Sequence, residues 1–179
     1  IGPAYPLRGG IAAFTERFAS EISKQEDDVS ILTYSLQYPK FLFPGKTQYS
    51  TGENSCEVPI RIALNSINPL NWIRLGLQLR KLKPDFIIFK FWMPFMAPAL
   101  GTIARIAKGN KKTKCIGLAH NIIPHEKKLG DYFLADYFSG AQWLSINQTS
   151  VKIGLTLIYV VDPNTIIYVA DSGFTFQFF

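Results

Sequence analysis

Both histidines of the 179-residue chain fall in one short stretch, "LAHNIIPHE", residues 118–126. His120, Asn121, His125 and Glu126 together bring two imidazoles, an amide and a carboxylate. Imidazole is the side chain whose ordinary titration lies near neutral pH, so it can donate a hydrogen bond or pass a proton there. The two histidines lie five residues apart within a loop, which is not the helical spacing of a zinc motif, and no metal is expected. Structural histidines are the bland alternative. A second group lies at the start of the chain, in "GPAYPLRGGIAAF", residues 2–14. There Gly9 and Gly10 follow Arg8 where an apolar helical stretch begins. Two glycines leave backbone N–H groups unshielded beside a helix N-terminus, which suits a phosphate, and Arg8 adds charge. A tight turn without ligand is the other reading. A third group is "FKFWMPFMAP", residues 89–98, where Trp92 and Phe95 could stack on a sugar or pack into a core.

The elements that must position these groups follow from periodicity. Ile11, Phe14, Phe18 and Ile22 recur at helical spacing and predict a helix over 10–24. "DDVSILTYS", 27–35, reads as a strand. Residues 36–57 form a long loop with Pro39, Pro44, Gly45 and Gly52, and a long loop in a small domain is more often functional than idle. "VPIRIAL", 58–64, is a short strand placed near an edge by Pro59. A helix over 68–82 has Asn68 as N-cap, Pro69 at its first position and a stripe of Trp72, Leu75, Leu79 and Leu82, and Pro84 stops it. Strand 85–92, a helix within 93–109 ended by Gly109, strand 113–121, helix 127–141 and a short strand 142–147 complete the alternation.

Strands alternate with helices and the central strands are continuously apolar. That predicts an α/β fold, a Rossmann-like parallel sheet with helices on both faces. Ligands of such a sheet bind beyond the carboxyl ends of its strands, where all three groups fall. Residues 1–141 make this domain, with its first strand truncated. Residues 142–179 hold a final strand and an atypical apolar tail, in which Asp162 and Asp171 are the only charges after Lys152. The tail reads as altered or incomplete, or as two strands around a turn at "DPNT".

The net charge is +6, from 19 Lys and Arg against 13 Asp and Glu. A basic surplus favours anionic partners or a solvated surface. Cys56 and Cys115 have neither metal-ligand spacing nor a convincing disulfide pattern, so a reducing, cytoplasmic setting is expected, with Cys115 in the core. No apolar run is long enough for a transmembrane helix.

In order, "GPAYPLRGGIAAF", "LKPDFIIFKFW" and "LAHNIIPHE" resemble the N-terminal half of a retaining GT-B glycosyltransferase of family 4, over about residues 1–141. The resemblance implies one half of a GT-B fold, in which the N-terminal domain mainly holds the acceptor. It implies transfer of a sugar from a nucleotide-sugar donor to a glycan or lipid-linked acceptor, as in cell-envelope polysaccharide synthesis, without a cofactor. By resemblance Gly9 and Gly10, with Arg8, lie against the donor diphosphate. His120 stands beside the transferred sugar as the catalytic residue. Trp92, Asn121, His125 and Glu126 border the acceptor, as does the loop 36–57. The resemblance also implies peripheral contact with an anionic membrane at the inner face of the plasma membrane, with Lys81, Lys83, Lys111, Lys112, Lys114, Lys127 and Lys128 as candidates, and no nucleic acid.

The chain departs from the family in lacking its paired-glutamate donor signature and a second Rossmann unit, so the isolated chain is expected to be inactive. Two other classes compete. A dinucleotide oxidoreductase would carry G-x-G-x-x-G after strand one and an acid closing strand two, whereas "PLRGGIAAF" and "LTYS" stand there. A noncatalytic basic module for membranes or nucleic acid would need a clustered basic face.

Overall fold

The computed structural model describes residues 1–25, 28–39, 47–119, 133, 134 and 137, and the backbone of 167–170 and 175–178. The chain is mixed α/β and divides into two compact units, Ile1–Asn71 and Trp72–Phe179.

The first unit begins with a segment pinned to a strand. Thr33 is fully buried on β1 (Ile31–Leu36). Its Oγ1 accepts the Ala4 N–H at 2.9 Å, and its hydroxyl donates to the Ala4 carbonyl at 3.1 Å. The Gly2 N–H donates to the Leu32 carbonyl at 3.1 Å, so residues 2–4 run beside β1. Helix α1 (Gly10–Ser23) follows. Its buried positions are Ala12 and Ala19, while Ile11, Phe14, Phe18 and Ile22, the expected apolar stripe, are only half-buried. Phe14 and Phe18 stack at 5.8 Å between ring centroids. Small residues face the core here because they let the helix approach closely. Ala4, Ala19, Ile31 and Val58 form one cluster, against which Val29, Cys56 and Ile60 pack. β2 (Ile60–Asn65) pairs with β1 in parallel, Ile31 opposite Ile60, with irregularities after Thr33.

Helix α2 (Pro69–Leu82) starts as its sequence specifies. The Asn68 side chain accepts the N–H groups of Leu70 and Asn71, the capping geometry that satisfies two otherwise unpaired donors. Its end is less expected. Lys83 adopts φ 56°, and its N–H bonds the Leu79 carbonyl at 3.0 Å, closing the helix in a left-handed cap that usually falls to glycine.

In the second unit β3 (Phe86–Phe91) and β4 (Lys114–Ala119) pair in parallel, with Phe86 opposite Lys114 and Phe91 opposite Ala119. A 3-10 turn (Pro94–Met96) leads into α3 (Ala97–Lys108), whose Ala97, Leu100, Ile103, Ala104 and Ala107 are fully buried. Phe89, Phe91 and Met96 are buried as well. Gly109 does follow α3, but with right-handed backbone (φ −59°). The left-handed residue of that turn is Lys111, at φ 60°. Asn110 holds the turn together. Its side-chain oxygen accepts the N–H groups of Lys112 and Thr113 at 2.8 Å each, and its amide donates to Thr113 Oγ1 at 2.7 Å. Thr113 in turn donates to the Pro84 carbonyl at 2.7 Å, joining the ends of α2 and α3.

The stripe expected on α2 is corrected at one end. Leu75 and Leu79 are buried and Trp72 is half-buried, but Leu82 is 71% exposed. The buried face instead includes Gly76, where a Cβ would come within 2.8 Å of the Ile106 Cβ. Glycine there lets α2 and α3 meet backbone to side chain.

β5 (Ile167–Ala170) continues the sheet in the order β3-β4-β5-β6, pairing in parallel with β4 through Ala119 and Tyr168. β6 (Thr175–Phe178) is antiparallel to β5. Both described tail strands follow "DPNT", and the residues of that turn and those before it in the tail lie outside the described residues. Most of the expected helix 127–141, and strand 142–147, lie outside the described residues, although Phe133, Leu134 and Tyr137 are helical.

Cys115 is 1% exposed on β4, and burial pushes its thiol up to about 12, against a lowering influence of Lys108. The folded thiol stays neutral while an unfolded one ionises near 9, so the unfolded state is favoured progressively as pH rises through that window. Urea titrations are expected to show stability falling between pH 9 and about 11, with a shallower fall in Cys115→Ala. Two glycine substitutions should act oppositely. Gly76→Ala is expected to cost about 1–2 kcal/mol, overpacking against Ile106 outweighing the gain in helix propensity. Lys83→Gly is expected to stabilise by about 0.5–1 kcal/mol by relieving the left-handed backbone. Denaturation midpoints measure both.

Candidate functional site

The glycine turn is built from the first unit alone. After the Thr33 pin, the Leu7 N–H closes back onto the Ala4 carbonyl at 2.9 Å, around a cis Tyr5–Pro6 peptide. Leu7 then bridges Tyr49 in antiparallel fashion. The Arg8 N–H donates to the Gln48 carbonyl at 2.9 Å, and the Ser50 N–H to the Pro6 carbonyl at 2.8 Å. The distal part of the long loop therefore lies along the turn, and its position is fixed by main-chain bonds rather than by side-chain identity.

Gly9 is the N-cap of α1 with φ 122° and ψ 169°. That backbone is essentially reserved for glycine. A Cβ on Gly9 would meet nothing within 4 Å, nor would one on Gly10. The two glycines thus do different work. Gly9 is demanded by the backbone, whereas Gly10 has ordinary backbone and open space above it. The helix has no side-chain cap and no acidic residue in its first turn. The first helical bond is Ala13 N–H to the Gly9 carbonyl at 3.1 Å. The N–H groups of Gly10, Ile11 and Ala12 are left without an acceptor among the described residues. Unpaired N–H groups at a helix start carry partial positive charge and attract an anion.

A hollow of about 220 Å3 opens over this turn. Tyr5, Arg8, Gly9, Ala12 and Glu16 line one side, and Ser50, Glu53, Asn54 and Ser55 of the loop line the other. Arg8 is exposed and supplies the one cation among the lining residues. Two carboxylates also line the hollow. Glu16 is engaged, since its Oε1 accepts the Tyr5 N–H at 2.6 Å. Glu53 is exposed. Arg8 and the helix start thus bring anion-attracting groups to the hollow. The hydroxyls, amide and carboxylate of Ser50, Ser55, Asn54 and Glu53 in its lining match the hydrogen-bonding needs of a polyhydroxylated ligand.

Of the residues singled out from sequence, Arg8, Gly9 and Gly10 come together at this turn. Trp92 belongs to the second unit, half-buried just past the C-terminal end of β3. β4 ends at Ala119, and His120, Asn121, His125 and Glu126 lie outside the described residues. Sequence reasoning missed Tyr5, Glu16, Glu53 and the serines individually. The signal available was the length and composition of the loop 36–57, whose last third supplies one wall. Among the described residues no group of three or more His, Cys, Asp or Glu side chains could hold a metal ion. No helix there is long and apolar enough to cross a membrane. Comparison with family models, curated proteins and solved structures finds no match to this chain.

The asymmetry between the glycines is testable without a ligand. Gly9→Ala is expected to destabilise by about 1–3 kcal/mol, because alanine must adopt a positive φ. Gly10→Ala is expected to leave stability unchanged or raise it by up to about 1 kcal/mol. Urea denaturation followed by circular dichroism separates the two.

Proposed function

We propose that this chain is the acceptor-side, Rossmann-like half of a retaining GT-B glycosyltransferase, and that the glycine turn receives the diphosphate of a nucleotide-sugar donor. The observation that carries the reading is the opening of α1: a left-handed Gly9, open space above Gly10, and three N–H groups without acceptors beside Arg8. A diphosphate needs donors and positive charge within contact distance, and a side chain on Gly10 would occupy the space it requires. The leaving nucleoside diphosphate gains charge as the glycosidic bond breaks. Preorganised N–H groups and a guanidinium stabilise that charge without reorganising. The polar loop residues that line the same hollow suit sugar hydroxyls. The parallel pairings β1–β2 and β3–β4, the second joined through α3, are compatible with a Rossmann-like fragment. His120 is assigned to the transferred sugar, and Trp92, Asn121, His125 and Glu126 to the acceptor, on the resemblance of their sequence context.

The test is calorimetric titration of the chain with UDP and GDP. Saturable binding with Kd on the order of 1 mM or tighter is expected. Gly10→Val should weaken it at least about tenfold while leaving the circular dichroism spectrum unchanged, since the added carbons enter open space. Absence of binding, or equal binding by Gly10→Val, would count against the diphosphate site.

A further inference from the structure

A carboxylate is out of place beside a site for a diphosphate, yet Glu16 lines the hollow over the glycine turn. The first turn of α1 carries no acid. Negative charge is kept from the helix start and then admitted in the next turn. Glu16 lies on the face of α1 that carries Gly9, Ala12 and Ala13, and all four line the hollow. Side chains of a helix lean towards its N-terminus. From that position the Glu16 Oε1 reaches back beyond the helix start and accepts the Tyr5 N–H at 2.6 Å, the short contact typical of a charged acceptor.

That bond completes a set. From Ala4 to Arg8 every residue but Pro6 has a main-chain N–H, and each of these donors is paired. Ala4 donates to Thr33 on β1, Leu7 to the Ala4 carbonyl, Arg8 to the Gln48 carbonyl of the long loop, and Tyr5 to Glu16. Of these bonds only the last is accepted by α1. The covalent joint between turn and helix is Gly9-Gly10, and two adjacent glycines make the most permissive joint a chain can have. The Tyr5–Glu16 bond spans that joint, so it fixes the direction in which the helix leaves the turn.

We infer that Glu16 is a positioning residue for the diphosphate site. Its carboxylate braces residues 4–8 against α1, so that Arg8 and the open N–H groups of Gly10, Ile11 and Ala12 keep one arrangement around the hollow. The inference rests on the diphosphate reading of the turn. The brace needs an acceptor oxygen at this reach, not a charge. The charge itself opposes a diphosphate, so bracing and charge act on affinity in opposite directions. Two substitutions separate them. Gln offers an acceptor oxygen at the same reach without the charge. Asp keeps the charge but is one methylene shorter, which opens the contact beyond hydrogen-bond distance.

The test is calorimetric titration of the whole chain and its variants with UDP, paired with amide hydrogen exchange of the same proteins without ligand. Glu16→Asp and Glu16→Ala are expected to weaken UDP about fivefold to tenfold, although alanine removes a negative charge. Glu16→Gln is expected to bind UDP as tightly as the parent chain or slightly more tightly. Without ligand, the Tyr5 and Arg8 N–H groups should exchange about tenfold faster in the Asp and Ala variants and at the parental rate in the Gln variant. Circular dichroism should be unchanged throughout, since Glu16 is only half-buried. The inference fails if Glu16→Asp binds UDP as tightly as the parent chain, or if Glu16→Gln weakens binding as far as Glu16→Ala does. It fails equally if Tyr5 and Arg8 exchange at one rate in all four proteins. A parent chain that binds no UDP overturns the diphosphate reading instead, and the exchange rates then decide the brace by themselves.

Discussion

The described geometry of the glycine turn depends on one side chain in the core. Thr33 is buried on β1 and bonds both the N–H and the carbonyl of Ala4. A buried hydroxyl must be paired, and a buried peptide group must be paired, so each satisfies the other. That reciprocal bond fixes the chain at Ala4, only five residues ahead of Gly9. From there the closure of Leu7 onto Ala4 and the bridge to Tyr49 leave little freedom in where α1 starts. The helix begins with its N–H groups facing a hollow because the segment before it is anchored, not because the glycines prefer that arrangement.

The two glycines then separate conformational need from space. Gly9 takes a backbone that other residues resist, while Gly10 keeps an opening clear. A turn made only to reverse the chain would require the first property and not the second. The absence of a side-chain cap points the same way. Capping by Ser, Thr, Asn or Asp stabilises a helix start by about 1 kcal/mol, and α2 takes that stabilisation through Asn68. Helix α1 forgoes it, and its first-turn donors remain available.

Opposite character marks the far ends of α2 and α3. There the turns are closed by side-chain and main-chain bonds centred on Asn110 and Thr113, and the charges point outward. Holding lysines in left-handed backbone at Lys83 and Lys111 costs on the order of 1 kcal/mol each relative to glycine. In exchange the same positions carry cations, which also complement the negative ends of the two helices.

The extent of α2, its Asn68 cap and its stop before Pro84 were legible in the sequence, because capping, periodicity and proline sterics act over a few neighbouring residues. So were the apolar β3 and β4, the burial of Cys115 and the singular character of Gly9-Gly10. The left-handed lysines were not legible, since lysine has no local preference for positive φ and only the helix ends' closure imposes it. Nor was the exposure of Leu82, which has the right spacing for the core face but is the last residue of the helix and stands 71% exposed. The wall of the hollow formed by Ser50, Glu53, Asn54 and Ser55 was decided by the tertiary structure alone. Its main-chain bonds join residues about forty positions apart, and they form through peptide groups that every sequence shares.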